Sequence, residues 1–209
     1  MAKITDYQSL IDNVQDYLNR DDLASVVPTW MGIVETELSR RLRDRRMISR
    51  ATATLNAQYI KPPSTLVALR NIQLNTDPPR TLTQITPDVM DDKRASSNAT
   101  GTPGFYSHLG QQIEFYPTPD AESTLEIAYY RTIPAITAEA GQTTNWLIEY
   151  HPDAYLYGCL KQAGPYLGDQ SITTTFNTYF EQAVQQIIQH DTDTKFSGRT
   201  PQTAITRIG

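Results

Sequence analysis

Hydrophobic residues repeat with a helical period at both ends of this chain and with a period of two in its middle. Near the amino terminus, apolar positions recur every three or four residues, as one face of an α-helix requires. The first series is Tyr7, Leu10, Ile11, Val14, Tyr17 and Leu18, and the second is Val27, Trp30, Met31, Val34, Leu38 and Leu42. Because a helix and a strand bury side chains at different spacings, the chain must combine separate helical and β regions.

The amino-terminal patterns predict a helical hairpin. Thr5-Asp6-Tyr7-Gln8 has the form of a capping box with Thr5 as the N-cap, so the first helix is expected over residues 6–19. A turn through Arg20-Asp21-Asp22 leads to the second helix, and Pro28 fits its first turn because the missing N–H costs nothing there. We expect the two helices to be antiparallel, with a short connection.

Alternating apolar residues from about Ile48 onward predict strands. The expected strands cover residues 51–55, 58–61, 69–74, 105–109, 112–116 and 125–131. Thr86 followed by Pro87 predicts a short helix, and Gly110-Gln111 predicts the turn of a β-hairpin. The middle of the chain is therefore expected to be a small antiparallel sheet or sandwich.

Helical spacing returns in the carboxyl-terminal part. Asn145 is expected to cap a helix, and Pro152 opens or kinks a helical run that stops near Gly164-Pro165. A last long helix is expected to end at His190. We predict an α+β fold in which residues 1–47 and 144–190 form a helical bundle, 48–143 an inserted small antiparallel β-domain, and 191–209 an extended C-terminal tail.

Composition excludes several classes of function. The 209 residues carry a formal net charge of −5, which argues against a nucleic-acid binder as a whole. No stretch approaches the roughly 20 apolar residues that span a bilayer, and no apolar signal region follows Lys3, so we expect a soluble protein of cytoplasmic origin with no membrane partner. Cys159 is the only cysteine, so no internal disulfide forms, and we expect it to be an inert packing residue.

Basic residues are concentrated just after the second helical pattern. They are Arg40, Arg41, Arg43, Arg45, Arg46 and Arg50, with Asp44 among them. The first helix and its turn are acidic instead, with Asp12, Asp16, Asp21 and Asp22. Three interpretations stay open: a contact between subunits arranged head to tail, a solvated helix end that suits the helix dipole, and a direct contact with DNA.

No catalytic, cofactor or metal site is expected. His190 with Asp191 and Asp193 offers too few ligands for a metal, and no serine or cysteine elbow of the kind that presents a nucleophile lies near His108 or His151. The tyrosines Tyr150, Tyr155, Tyr157 and Tyr166 are expected in the core and at subunit interfaces rather than as a ligand platform. An enzyme is thus not expected.

Several phrases resemble the adaptor, or head-completion, proteins that join a phage portal to its tail. They are "YPTPD" from Tyr116, "LEIAYYRTIPAIT" from Leu125, and "TNWLIEYHPDAYLYGCLKQAGPYLGD" from Thr144. The capped first helix and the arginine-ended second helix are similar to that family too, so the resemblance covers residues 1–190. It implies a structural protein of the virion neck, made in the host cytoplasm, with no catalytic residues and no cofactor.

The resemblance also implies an assembly and its partners. About twelve copies would form a ring beneath the portal protein, with a channel for passing DNA and a docking platform for the next tail or nozzle protein. We expect the C-terminal tail of this chain, residues 191–209, to become ordered when it binds the portal protein. The contacting residues would be Phe196, Arg199, Ile205, Arg207 and Ile208, and the alternative is terminal disorder. The competing functions are a virion-associated hydrolase and a helical scaffold or chaperone that is absent from the virion.

Overall fold

The computed structural model describes residues 3–196, and it confirms the predicted α+β class. The α-helices of this part are α1 Tyr7–Leu18, α2 Val27–Arg41, α3 Pro87–Ser96, α4 Trp146–Tyr150, α5 Pro152–Leu167 and α6 Gln170–Phe196. The strands are β1 Ile48–Leu55, β2 Tyr59–Ile60, β3 Leu66–Leu74, β4 Arg80–Thr81, β5 Thr83–Gln84, β6 Phe105–Leu109, β7 Gln112–Tyr116 and β8 Ser123–Arg131. The described chain divides into a helical unit, residues 3–46 and 133–196, and a β unit, residues 47–132.

The capping box of α1 lies one residue later than predicted. Asp6, not Thr5, is the N-cap: its Oδ1 accepts the Ser9 N–H at 2.9 Å, and its own N–H donates to the Ser9 Oγ at 2.9 Å. Gln8, expected to reach back to the cap, donates to Asp12 instead. An aspartate is the better cap because its charged oxygen accepts the N–H bond, and that bond lowers the pKa of Asp6.

Helix α5 passes through the Gly164-Pro165 pair at which the sequence predicts a stop. It continues to Leu167 and ends at Gly168, whose φ of 70° is left-handed and suits a glycine. Pro165 lies in the last turn, where it removes a single backbone hydrogen bond. That loss is small beside the packing of α5 on its neighbours.

Two glycines of α5 allow these neighbours to approach closely. A Cβ added at Gly158 would lie 2.7 Å from a methyl group of Val34 and 3.1 Å from the Phe180 ring. A Cβ at Gly164 would overlap Thr173 of α6. Glycine is therefore required at both positions for the close contacts that α5 makes with α2 and α6.

Helix α6 extends past His190, where the sequence predicts its end, to Phe196. Bonds between residues four apart support this extension, and they join Thr192 to Ile188, Thr194 to His190, and Gln189 to Asp193. Asp191 is only 6% exposed, pairs with Lys195 and accepts the backbone N–H of Arg45 at 3.1 Å. Polar bonds hold this last part of the helix, so it shows no apolar period in the sequence.

Two four-stranded sheets make up the β unit. The first, in the order β1-β8-β3-β4, is antiparallel. The second has the order β2-β7-β6-β5, and its β5–β6 pair is parallel, which the sequence analysis did not predict. Strands β4 and β5 have two residues each, too few to show alternation.

A single apolar cluster fills the β unit with side chains from both sheets. Its fully buried members include Leu55, Ile72, Leu74, Ile113, Phe115 and Leu125. The β6–β7 hairpin turns at Gly110, as predicted, with a φ of 57°. The inserted antiparallel β-domain is thus confirmed as a class, with the parallel pair as its exception.

None of the helices in residues 3–196 has both the length and the apolar character needed to cross a bilayer.

Candidate interaction surfaces

The arginine-rich segment lies at the carboxyl end of α2 and in the turn that follows. Arg40 and Arg41 are in the last turn of α2, and Arg45 and Arg46 begin a 3₁₀ turn, Arg45–Met47. Cations are favourable at this end of a helix because its unpaired carbonyl groups are partly negative. The arginines differ in what each contacts.

Arg41 pairs within its own chain. Its two terminal nitrogens donate to the carboxylate of Glu181 in α6 at 2.7 and 2.5 Å, and one of them also reaches Glu37 at 3.1 Å. The bidentate bond raises the pKa of the Arg41 guanidinium and lowers the pKa of the Glu181 carboxyl. Arg41 therefore joins α2 to α6.

Arg43 closes the carboxyl end of α2. One terminal nitrogen of its guanidinium lies 3.2 Å from the carbonyl oxygens of both Ser39 and Arg40, and 2.5 Å from that of Leu42. These carbonyls have no partner further along the helix, and a basic side chain satisfies them. Arg43 thus performs the capping role that the helix-dipole interpretation assigns to the run.

Arg46 is held between an acid and two aromatic rings. It donates to the carboxylate of Asp44, a residue only 3% exposed, at 3.3 Å, and its backbone N–H donates to the same carboxylate at 2.7 Å. Its guanidinium carbon lies 4.3 Å from the ring centroid of Tyr150 and 5.6 Å from that of Trp146. These contacts fix the turn after α2 against α4.

Arg40 and Arg45 differ from the other arginines of this segment, because within residues 3–196 neither guanidinium forms a hydrogen bond or an ion pair. Arg40 is exposed and lines an open groove on the outer face of α2 together with Ile33, which is 44% exposed. Arg45 uses its backbone N–H to bind Asp191. These two arginines are the best candidates in the run for contacts with another molecule.

The acidic residues Asp21 and Asp22 lie before the start of α2, opposite the arginine end. Helix α2 has 15 residues and is therefore about 22 Å long. Asp12, Asp16, Asp21 and Asp22 are all exposed. Asp22 binds Arg20 at 2.6 Å, and that hydrogen bond lowers the pKa of Asp22. The two ends of α2 thus differ in charge, and opposite charges on two surfaces favour contact between them.

A buried polar network, which the sequence analysis missed, joins α2, α5 and the segment before α4. One carboxylate oxygen of Glu35 accepts the hydroxyl of Tyr155 at 2.8 Å and the backbone N–H of Ile136 at 3.0 Å. The amide of Asn145 donates to the Tyr155 hydroxyl at 2.7 Å and to the carbonyl of Pro134 at 2.6 Å. Burial raises the pKa of Glu35.

The position of Glu35 in the sequence contains the signal that could have identified this network. Glu35 lies four residues after Met31 and three before Leu38, on the apolar face of α2. A carboxylate on such a face needs hydrogen-bond donors from the packed neighbours. Asn145 was predicted only as a helix cap, a role it also performs by accepting the N–H groups of Leu147 and Ile148.

Four aromatic rings from three helices meet at the surface of the helical unit. This aromatic surface consists of Tyr17 of α1, Tyr157 of α5, and Phe176 and Tyr179 of α6. Neighbouring ring centroids lie 5.4 to 6.4 Å apart, within the range of favourable aromatic contacts. Tyr17 is 38% and Tyr179 45% exposed. Half-exposed aromatic clusters are typical of protein–protein interfaces.

The tyrosines that the sequence analysis grouped together are in different environments. Tyr155 is fully buried, whereas Tyr150 and Tyr166 are 60% and 57% exposed. Tyr166 lies edge-on to Trp30, with ring centroids 5.6 Å apart. Tyr157 alone among the four belongs to the aromatic surface. The expected core position is confirmed for Tyr155, and a role of the other three at subunit interfaces stays a prediction.

The histidines and the cysteine show no catalytic arrangement within residues 3–196. His151, at the start of α5, and His190 of α6 have ring centroids 6.0 Å apart, and burial lowers the pKa of His151. His108 lies in β6. Cys159 is fully buried, and burial raises the pKa of its thiol. No hydrogen bond in the described part joins a histidine to a serine or cysteine.

The carboxylates beside His190 have structural partners. Asp191 binds Arg45 and Lys195, and Asp193 accepts from Gln189 at 2.8 Å. In the described part of the chain, no three histidine, cysteine or acidic side chains come together as metal ligands do. The assignment of no catalytic role to the chain stays an expectation.

The predicted portal-binding residues lie almost wholly outside the described residues. Arg199, Ile205, Arg207 and Ile208 follow residue 196, and Phe196 is the last residue of α6, with its side chain not described. Their role stays a prediction. The inter-subunit or lumen-facing role of Arg40, Arg41, Arg43, Arg45 and Arg46 also stays a prediction.

Comparison with known proteins identifies the family. No curated protein matches the chain. A family model described as SU10 adaptor protein matches residues 5–204, which is nearly the whole length of the sequence. It confirms the resemblance that the sequence phrases indicate. The chain therefore belongs to the SU10 adaptor protein family and is a structural head-to-tail adaptor of a tailed phage.

Proposed function

We propose that this adaptor forms a ring of about twelve copies beneath the portal, with a central channel for DNA and a platform for the next tail or nozzle protein. The family match over residues 5–204 carries the proposal. The separation of charge along α2 supports it, because a head-to-tail ring repeats one contact between two different surfaces. DNA would pass without sequence-specific contacts, and the protein would lie in the virion neck.

Ring formation can be measured on the portal itself. The portal ring of the same phage is mixed with an excess of this adaptor, and native mass spectrometry counts the bound copies. We expect about twelve adaptors per portal ring, because each bound copy presents a surface to the next. One or two bound copies would contradict the ring. A further tail protein added to the assembled complex tests the docking platform in the same way.

We propose that the C-terminal tail of this chain binds the portal through Phe196, Arg199, Ile205, Arg207 and Ile208. This polar segment carries scattered apolar and basic residues, the composition of a segment that orders on a partner. Because Asp191 holds the turn at Arg45, a truncation that tests the tail must retain all of α6.

Removal of residues 197–209 tests the tail directly. We expect the truncated protein to retain its helical circular dichroism and to lose most of its affinity for the portal ring. The matched control replaces residues 197–209 with a Gly/Ser segment of the same length, which separates loss of side chains from loss of chain. Full binding by the truncated protein would contradict this proposal and would indicate that the helical unit contacts the portal.

A further inference from the structure

The aromatic surface lies in an acidic part of the helical unit. Asp153 is four residues before Tyr157 on α5 and so lies on the same side of the helix. Burial, Tyr17 and then Asp153 raise the pKa of Tyr157, which agrees with this proximity. Helix α1 contains no lysine or arginine, and α6 contains none before Lys195 in its last turn.

The outer face of α2 has the opposite character. Ile33 is 44% exposed, and Arg40 follows it by seven residues, which is about two helical turns and the same side of the helix. The one acid on the adjoining side, Glu37, binds Arg41 and Lys161. The outer face of α2 therefore offers an apolar side chain and a guanidinium that has no ion pair within residues 3–196.

We propose that the outer face of α2 in one copy docks on the aromatic surface of the next copy. Arg40 would lie against the tyrosine rings and pair with Asp153, while Ile33 packs between Tyr17 and Tyr179. Arginine and tyrosine are among the residues that contribute most binding energy at interfaces. An arginine beside both an aromatic ring and a carboxylate is stabilised by a cation–π contact and by an ion pair.

The second copy is proposed as the partner because the charges of the two surfaces are complementary. One surface is built from α2, and the other from α1, α5 and α6, so the two share no residue. Each copy carries both surfaces, and such a contact between different surfaces can repeat around a ring. This inference rests on the proposed ring, whose contact surface it assigns.

Reversal of charge in the same chain tests the assignment. Arg40→Glu and Asp153→Lys should each reduce the number of adaptors bound per portal ring, with an affinity loss of about tenfold or more, as expected for central interface residues. The double variant should recover most of the assembly, because every contact then pairs the introduced glutamate with the introduced lysine. Tyr179→Ala should weaken assembly without any rescue by the charge changes.

Asp88 provides a matched control. It is also an acid in the first turn of a helix after a proline, in α3 of the β unit, so Asp88→Lys repeats the same dipole change elsewhere. Thermal unfolding of each isolated variant checks that the fold is retained. Asp88→Lys should neither weaken assembly nor rescue Arg40→Glu.

The outcomes separate this inference from the proposed function. Failure of the wild-type protein to form a multi-copy complex would overturn both. Normal wild-type assembly, with Arg40→Glu and Asp153→Lys unaffected, would overturn the assigned contact and leave the ring. Weakened single variants without rescue in the double variant would overturn the direct pairing, as would rescue of Arg40→Glu by Asp88→Lys.

Discussion

The helical unit and the β unit both have apolar cores, but they differ in how far along the chain their buried polar bonds reach: Arg94 of the β unit donates to Glu114, 20 residues away. In the β unit, apolar side chains from both sheets form one core, with Phe115 fully buried in it. In the helical unit, buried polar groups join distant parts of the chain: Ser39 Oγ accepts the N–H of Ile133, 94 residues away, and Glu35 accepts that of Ile136. Apolar burial stabilises without direction, whereas hydrogen bonds also specify which segments meet.

The largest expected effect is in the core of the β unit. Phe115→Ala should lower the free energy of unfolding by about 3–5 kcal/mol, because it removes a buried ring and leaves a cavity. Hydrogen exchange followed by mass spectrometry should show loss of protection in peptides from residues 47–132. Tyr59→Ala, at a ring that is 45% exposed in the same unit, is the control and should change little. Equal loss in both units would show that they unfold together and weaken the comparison.

The next effect concerns the packing of the helical unit. Gly164→Ala should cost about 1–3 kcal/mol, because its Cβ would overlap Thr173 and force α5 away from α6. Gly32→Ala is the matched control: it is also helical, nothing lies within 4 Å of its added Cβ, and it should stabilise by about 0.5–1 kcal/mol. Chemical denaturation of the isolated protein measures both. A stabilising Gly164→Ala would show that α5 and α6 can separate at no cost.

The sequence predicted most elements of both units, because apolar periodicity reports burial on one side of a helix or strand. The extension of α6 beyond His190 was not predictable in this way, since its support comes from bonds such as Arg45 N–H to Asp191 across 146 residues. The two-residue strands β4 and β5 were missed because pairing, not alternation, defines them.

The candidate surfaces were only partly predictable. The arginine run was evident, but its sequence did not show that Arg41 and Arg43 have partners in their own chain while Arg40 projects from α2. The aromatic surface combines residues from three helices, and the spacing of residues within one helix does not predict which residues of other helices lie beside them. Family phrases predicted the family and its structural role, and the fold then showed which side chains are exposed.

A third prediction concerns the buried network of the helical unit. Glu35→Ala should cost about 2 kcal/mol, because it leaves the Tyr155 hydroxyl and the Ile136 N–H without an acceptor. Glu35→Gln retains a carbonyl oxygen for both donors and should cost less. Denaturation curves of the two variants at neutral pH decide between them. Equal losses for Gln and Ala would show that a neutral carbonyl oxygen cannot replace the carboxylate and that the negative charge itself stabilises the network.

The same carboxylate gives the helical unit a pH dependence. Burial raises the pKa of folded Glu35 above its ordinary value of 4.5, so the folded state binds its proton more tightly than the unfolded state does. The stability that this proton contributes is complete below pH 4.5 and is lost as pH rises through the folded-state pKa. Glu35→Gln should abolish this part of the pH dependence. If the free energy of unfolding of Glu35→Gln depends on pH as it does in the wild type, then groups other than Glu35 cause this pH dependence.

The smallest expected effect separates a surface bond from the buried network. Arg41→Ala should cost only about 0–1 kcal/mol, because the Arg41 and Glu181 side chains are 31% and 42% exposed and water already solvates much of the pair. A double-mutant cycle with Glu181→Ala isolates the pair, and its coupling energy should fall as salt is added. Arg40→Ala, one residue away with no ion pair in the described part, is the control and should leave stability unchanged while it weakens ring assembly. Equal losses of stability in Arg40→Ala and Arg41→Ala would show that charge at the end of α2, not the Glu181 bond, stabilises this unit.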